Sequence, residues 1–198
     1  MKLKCFFVSV FVFGFAMANA QDITPSQDIT PSVAKGNKII NMGIGLGATY
    51  YSGGGYTSIV PPLSVSMEKI IKDGLIDGKG ALGVGGYVGY SAYKWEYVYP
   101  YMGTYGYNYS SIFIGPRGVF HYEFVDKLDT YIGIFLGYDI VSAKQYGTAL
   151  PGNFTSNTSG VVFSSYIGGR YFFLEKFAGM LELGYGISYI NLGIAVKL

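Results

Sequence analysis

The feature that most constrains this chain is an alternation of large apolar residues with small or polar ones, repeated along the sequence. A period of two is the signature of a β-strand whose two faces meet different surroundings. In residues 130–141, for example, Ile, Leu and Tyr fill every second position, and Gly and Asp fill most positions between them. The alternation predicts eight strands: 38–51, 59–71, 80–90, 109–124, 130–141, 161–174, 177–185 and 188–198.

The lengths of these segments indicate what the strands cross. They run for about 9 to 16 residues, whereas strands of soluble proteins usually have about 5 to 6 and a tilted membrane strand needs about 9 to 11. The predicted connections also alternate, with short ones at 72–79, 125–129 and 175–176 and longer ones at 52–58, 91–108 and 142–160, before a tight turn at 184–188. Short turns on one side and longer loops on the other are typical of outer-membrane barrels.

Composition decides which face of the strands meets solvent. Charged residues make up 13% of the chain, about half of the usual share of roughly 25%. A soluble ligand-binding barrel, the competing architecture, needs that charge to coat its outside. We therefore predict an all-β fold, an eight-stranded antiparallel transmembrane β-barrel with up-and-down meander topology, whose apolar face meets lipid and whose small and polar face lines a narrow lumen.

The N-terminal residues have a different character from the rest of the chain. Lys2 and Lys4 precede a short apolar run at 5–17, and Ala18-Asn19-Ala20 fits a cleavage site, so residues 1–20 are predicted to be a secretory signal peptide rather than a membrane anchor. Residues 21–36 are predicted to be a flexible tail that contains the sequence Gln-Asp-Ile-Thr-Pro-Ser twice, and residues 37–198 form the predicted barrel. The single cysteine lies within the predicted signal peptide, which excludes thiolate chemistry from the processed chain.

Several short motifs resemble one known family. The motifs are 61–68 (PPLSVSME), 85–90 (GGYVGY), 115–118 (GPRG), 168–173 (GGRYFF) and 182–189 (ELGYGISY). In this order they are similar to the porin-like outer-membrane β-barrel family of Gram-negative bacteria, in the size class of the small eight-stranded OmpX/OmpA-like barrels. The resemblance implies location in the cell outer membrane, contact with outer-membrane lipid, insertion by the barrel assembly machinery, and often no molecular activity. The formal net charge of +2 and the lack of a cluster of Lys and Arg argue against a nucleic-acid partner. We expect a monomer.

Four charged residues have the parity of the lumen face. Glu68, Arg117, Arg170 and Glu182 lie at similar distances from the ends of their predicted strands, so they are expected to meet inside the barrel. Two carboxylates and two guanidiniums there should pair bidentately, because an unpaired buried charge is costly. We predict that this lumen polar cluster is structural and argues against an open pore. A narrow passive diffusion channel for small solutes is the alternative.

Candidates for catalysis or for binding a cofactor are few. His121 is the only histidine of the chain and, with Glu123, has lumen parity, which makes both possible members of the lumen cluster. One histidine is too few ligands for a metal, and no nucleophile accompanies it in the sequence. We predict no enzyme activity, no catalytic residue, no metal and no cofactor.

The region 91–108 is dense in tyrosine. Tyr93, Trp95 and Tyr97 are among eight aromatic residues between positions 93 and 109. Packing of a long loop together with a membrane-interface girdle would account for them. A recognition surface would too, because tyrosine offers contact area at low entropic cost. The sequence thus favours a small non-enzymatic membrane protein with a structural or surface-interaction role.

Overall fold

The computed structural model of the protein describes residues 32–48, 55–101, 103–147 and 155–198. The predicted signal peptide and residues 21–31 of the predicted tail lie outside this part of the chain. Every regular element of the described residues is a β-strand. None of them belongs to a helix that is long and apolar enough to cross a bilayer.

The described residues form one antiparallel sheet that closes on itself. In chain order its strands are β1 (Lys38–Ala48), β2 (Tyr56–Leu75), β3 (Gly80–Tyr99), β4 (Gly103–Val125), β5 (Leu128–Gly147), β6 (Thr155–Ser156), β7 (Ser159–Phe172), β8 (Phe177–Tyr185) and β9 (Ser188–Lys197). The two-residue β6 pairs only with β5 among the described strands. The other eight strands pair in sequence order, and β9 returns to pair with β1. The predicted eight-stranded meander barrel is confirmed.

The strands are staggered around the barrel. Following the paired residues from Met42 across β2, β3, β4 and β5 leads to Val161 on β7. In the other direction, through β9 and β8, it arrives at Tyr171, ten residues along the same strand. Such a stagger means that the strands tilt, because a sheet of eight strands closes only with a fixed shear. An interior this narrow is filled by side chains.

The two faces of the strands have opposite chemistry. On β5 the side chains of Ile134 and Leu136 are each 55% exposed on the outside, while Asp129 is 0% exposed inside. The same division holds for the predicted parity of all eight strands: Asn41, Ser66 and their inward neighbours are buried, and the outward rows are apolar. This is the reverse of a soluble barrel. The closed wall pairs the backbone groups of neighbouring strands while the apolar side chains face hydrocarbon.

Glycines on the inner face make room for the large side chains inside. A Cβ atom on Gly168 would lie 2.5 Å from the ring of Tyr131, and one on Gly137 would lie 2.2 Å from the ring of Phe135. Gly133 makes the same accommodation for Tyr166, with a distance of 2.2 Å. At these three positions only a residue without a side chain fits the inner wall beside the neighbouring ring.

Three strands extend further than the sequence suggested. The predicted loop at 91–108 is instead the upper part of a hairpin, in which β3 and β4 stay paired from Tyr93 with Tyr109 up to Tyr99 with Gly103. β5 likewise continues to Gly147, inside the predicted loop at 142–160. The prediction was wrong because it assigned these stretches to long loops, although the alternation itself continues from Tyr93 to Tyr99.

Pro61 and Pro62 lie near the start of the predicted strand 59–71, but β2 begins earlier, at Tyr56, and contains both prolines in its interior. The pairing of β2 with β3 shifts register between Val60 and Leu63, on either side of these prolines. Proline donates no backbone hydrogen bond, so within a sheet it is tolerated at bulges. The strand therefore continues through the two prolines at the cost of one irregularity.

One end of the barrel carries the short turns 76–79, 126–127 and 173–176 and the last residue of the chain. We call this the lower end. In outer-membrane barrels short turns face the periplasm. Inside it lies an apolar layer composed of Val33, Ile39, Ile70, Ala81, Phe172, Ala178 and Ala195.

The segment that precedes β1 packs into this lower end. Ser32 donates hydrogen bonds from its amide and its hydroxyl to the carboxylate of Glu123, and the Lys197 ammonium donates to the Ser32 carbonyl at 2.9 Å. The Val33 side chain is 3% exposed. Ordered structure thus begins before residue 37, the predicted start of the barrel.

Candidate functional site

The structure brings the four predicted charged residues together inside the barrel. Arg117 on β4 donates from Nη2 to Oε1 of Glu182 at 2.9 Å, and its Nε lies 3.9 Å from Oε2 of Glu68. Its Nη1 donates to the Ser66 hydroxyl at 2.8 Å, and the guanidinium lies 4.6 Å from the ring centre of Tyr166. Strands β2, β4 and β8 are therefore linked through one side chain.

Arg170 on β7 makes the second junction. Its Nη1 donates to Oδ2 of Asp129 at 2.9 Å, and its Nη2 lies 2.6 Å from Oε1 of Glu68. Its Nε donates to Oδ1 of Asn41 at 2.9 Å, and the ring of Tyr131 lies beneath it at 4.3 Å. Each arginine thus divides its donors among several acceptors. The predicted bidentate pairing with a single carboxylate was wrong, because the carboxylates approach from different strands.

The structure separates His121 from Glu123, although both face inward. The imidazole Nδ1 of His121 lies 2.9 Å from Oδ1 of Asp129, and Nε2 lies 3.7 Å from Oε1 of Glu68. Glu123 instead binds Ser32 at the lower end of the barrel. The name charged cluster is used below for six residues: Glu68, Arg117, His121, Asp129, Arg170 and Glu182.

Asp129 is the member of the charged cluster that sequence reasoning missed. It lies directly before the predicted strand 130–141 and was assigned to the turn. Its parity is the same as that of Tyr131, whose hydroxyl donates to Glu182 at 3.0 Å, so extending the predicted strand by one residue would have identified it. Asn41 and Ser66 also have inward parity, but uncharged residues on that face are too common to single out from sequence.

The charged cluster fills the lower half of the lumen. Its six side chains are buried, and they come from β2, β4, β5, β7 and β8. Among the described residues, no group of three or more His, Cys, Asp or Glu side chains is arranged to hold a metal ion. What the arrangement can do chemically is to tie strands together and to obstruct the lumen with paired charges.

A small cavity lies above the charged cluster. Its volume is about 50 Å³, and its walls include Tyr87, Phe113, Phe135 and Ile187. Arg117 and Glu182 border it as well. The upper half of the lumen is therefore aromatic where the lower half is ionic.

The extended hairpin of β3 and β4 carries a row of aromatic rings. We call residues 93–109 the ribbon. The inward parity of β3 and β4 continues into the ribbon, so these side chains share the face that is continuous with the lumen, here called the aromatic face: Tyr93, Trp95, Tyr97, Tyr99, Tyr105, Tyr107 and Tyr109. Rings of Trp95 and Tyr105 meet edge to face at 6.3 Å. The rings do not form a lipid-facing girdle, so that part of the predicted explanation was wrong.

The opposite face of the ribbon is polar. Lys94 and Glu96 form a salt bridge with a separation of 2.7 Å, and the Tyr146 hydroxyl donates to Glu96 at 2.9 Å. The hydrogen bond from Lys94 and, to a smaller extent, the one from Tyr146 lower the pKa of Glu96. On the aromatic face, the hydrogen bond with Tyr107 raises the pKa of Tyr105 to about 12. The Tyr105 hydroxyl thus keeps its proton at neutral pH.

No family model and no curated protein matches the chain. Among solved structures, Ail, the attachment invasion locus protein of Yersinia pestis, is 10% identical over 83% of this chain and 96% of its own length, with a TM-score of 0.42. The N-terminal β-barrel domain of Pseudomonas aeruginosa OprF is 14% identical over 83% of this chain and 98% of that domain, with a TM-score of 0.43. A de novo designed transmembrane β-barrel is 15% identical over 84% and 98%, with a TM-score of 0.43. These likenesses concern the fold alone.

The closed ring, the apolar outside and the polar inside decide the class of protein. The chain is a small outer-membrane β-barrel. Its location is therefore the outer membrane, as the alternation and the family resemblance predicted. The two candidate sites that the barrel offers are the charged cluster in its lumen and the aromatic face above it.

Proposed function

We propose that this protein is a non-enzymatic outer-membrane barrel that uses its ribbon for surface interaction and its charged cluster for structural support. The observation that carries the proposal is the aromatic face. Strand residues beyond the outward apolar rows are not needed to cross the membrane. We therefore expect this added length to have another function. Seven aromatic side chains on one face of that added length provide a contact surface.

The chemistry of the ribbon suits recognition. Tyrosine and tryptophan combine large rigid contact area with a polar atom, and few torsions are frozen when they bind. Tyr97 is 51% exposed and Tyr99 is 39% exposed. Clustered exposed rings of this kind mark interaction surfaces in proteins that otherwise avoid them.

The first experiment removes the ribbon without cutting the barrel. Residues 94–108 are replaced by Asn-Gly, so that Tyr93 and Tyr109, which already pair, are joined by a two-residue hairpin turn. Cells that display the shortened protein should adhere less to one another and to epithelial cells than cells with the full chain. The matched control is the double substitution Lys94→Gln and Glu96→Gln, which changes the polar face and leaves the aromatic face in place. Equal adhesion by all three proteins would contradict the proposal.

A second experiment addresses the alternative, a narrow diffusion channel. The charged cluster occupies the lumen with paired charges and supports a closed state. The purified protein in planar bilayers should therefore give no stable conductance steps. Reproducible steps would favour the channel instead.

A further inference from the structure

The wall of the barrel has a notch beside β7. Strand β8 ends at Tyr185, whose register partner on β7 is Ser165, and the chain turns back at 186–187. Residues 159–164 of β7 therefore have β5 on one side, and among the described residues no strand pairs with them on the other. The Ser164 hydroxyl reaches across the gap and donates to the Tyr185 carbonyl. We call this gap the notch.

The notch lies within the lipid-facing part of the wall. Phe163 pairs with Leu136, and both side chains belong to outward apolar rows. Ser159 pairs with Ile140, the last residue of the apolar row on β5, so the top of the notch is level with the upper end of that row. A free strand edge in hydrocarbon leaves backbone N–H and C=O groups without hydrogen-bond partners, which is strongly unfavourable. A molecule that covers this edge must therefore be apolar and also carry hydrogen-bonding groups.

The notch leads into the cavity above the charged cluster. That cavity is bordered by Phe163 and Tyr185, which belong to the outer face, and also by Phe113, Phe135 and Ile187 on the inside. One space therefore connects the lipid-facing surface with the lumen. Its deep end is closed by Arg117 and Glu182, which are hydrogen-bonded to each other.

We propose that the notch is a binding site for one alkyl chain of an outer-membrane lipid, whose end enters the lumen. The aromatic and aliphatic walls match a hydrocarbon chain. The cavity volume of about 50 Å³ is about a third of the 150 Å³ cavity that holds benzene, so it takes roughly two carbon atoms. The rest of the chain lies along the open notch, between Phe163 and Tyr185.

The position of the notch suits the polar part of the same lipid. Ester and hydroxyl groups of a lipid lie at the boundary of the hydrocarbon layer, and the upper part of the notch is at the end of the apolar row on β5. These groups can hydrogen-bond to the free edge of residues 159–164. The lipid would thus cover the backbone groups that the short β8 leaves open.

Fluorescence quenching tests the proposal. With Trp95→Phe as background, Phe135→Trp places the only tryptophan beside the cavity, and the protein is reconstituted in phospholipid vesicles whose acyl chains are brominated near their ends. We expect at least a twofold loss of emission relative to vesicles without bromine. Leu136→Trp, on the lipid-facing surface, should be quenched in the same vesicles, and Phe172→Trp, in the lower apolar layer, should not.

A blocked notch provides the matched control. Ser164→Leu puts a larger side chain at the edge of the cavity, and it should restore most of the emission of the Phe135→Trp reporter. Absence of quenching at position 135, or quenching that Ser164→Leu leaves unchanged, would overturn the proposal. So would quenching by a brominated alkyl detergent in micelles but not by the brominated phospholipid. If Phe135→Trp does not give a heat-modifiable barrel, Ile187→Trp in the turn serves as the reporter with the same expected outcomes.

Discussion

The two sides of this barrel cross the same membrane with strands of very different length. On one side β3, β4 and β5 have 20, 23 and 20 residues. On the other, β8 and β9 have 9 and 10. We call the side with β3, β4 and β5 the tall side and the side with β8 and β9 the short side. Because both sides cross the same apolar layer, the short side shows how little chain the crossing requires. The residues by which the tall side exceeds the short one are therefore not needed to cross the membrane, and they include those of the aromatic face.

The difference also locates where stability comes from. Between the tall and the short side, the charged cluster joins strands through the lumen, with Arg170 contacting β1, β2 and β5 and Arg117 contacting β2 and β8. The short side has few residues of its own to hold it in place. We therefore expect substitutions inside the lumen to act on the whole wall, and substitutions in the ribbon to act on the tall side alone.

The largest effect is expected from breaking the junction between the sides. Arg170→Ala leaves Glu68 and Asp129 buried without their guanidinium, and removing one partner of a buried pair costs about 3 to 5 kcal/mol. Urea unfolding of the protein in lipid vesicles, followed by heat-modifiable gel mobility, measures the loss. Lys72→Ala, at an exposed position, is the control and should change the free energy of unfolding by less than about 0.5 kcal/mol. Equal stability of the two variants would show that the charged cluster does not hold the sides together.

A smaller effect is expected from overpacking one side. Gly133→Ala on β5 places a Cβ within 2.2 Å of the Tyr166 ring, and overpacking of this kind costs about 1 to 3 kcal/mol. Gly179→Ala on β8 is the matched control, because nothing lies within 4 Å of its added Cβ. The same unfolding experiment should separate the two variants. If Gly179→Ala is as destabilising as Gly133→Ala, glycine on these strands serves backbone freedom rather than space.

The smallest effect is expected on the polar face of the ribbon. Glu96→Gln removes the pair with Lys94, and because both groups are exposed we expect only faster hydrogen exchange of ribbon amides. The Glu96 pKa is lowered in the folded state, so the contribution of the pair is complete above the ordinary glutamate pKa and disappears as the pH falls through the lowered value. Expressed relative to the intrinsic exchange rate at each pH, the protection of the wild-type ribbon amides should fall over that acidic range, and that of the variant should remain flat. A flat profile in both proteins would mean that the pair does not stabilise the ribbon.

Much of the fold was predictable because parity is a strict physical constraint. A residue such as Ile134 cannot change faces without moving its whole strand, so the alternation determined which side chains meet lipid and which meet at the charged cluster. The boundaries of β8, Phe177–Tyr185, were predicted to the residue because a tight turn follows directly.

Other features were not predictable in the same way. The extension of β3 into the ribbon was missed although Trp95, Tyr97 and Tyr99 keep the alternation, because the tyrosine-rich stretch was assigned to a long loop. Asp129 was missed for a related reason, since it lies at the boundary of turn and strand. The notch arises from a difference in length between β7 and β8, and that difference has a consequence only once the two strands are neighbours in a closed ring.

The seam between the first and last strands has a consequence for how the molecule can be made. Met42 pairs with Ile194, and Ser32 accepts a hydrogen bond from Lys197, so contacts that complete the wall join the two extremes of the sequence. Pairings this distant along the chain form late and slowly. Until the final strand has paired, the edge of β1 lacks hydrogen-bond partners and the outward apolar side chains are not yet buried in lipid. Chains in this state are prone to aggregate. The time before closure, rather than the finished barrel, is therefore when this protein is most exposed to aggregation.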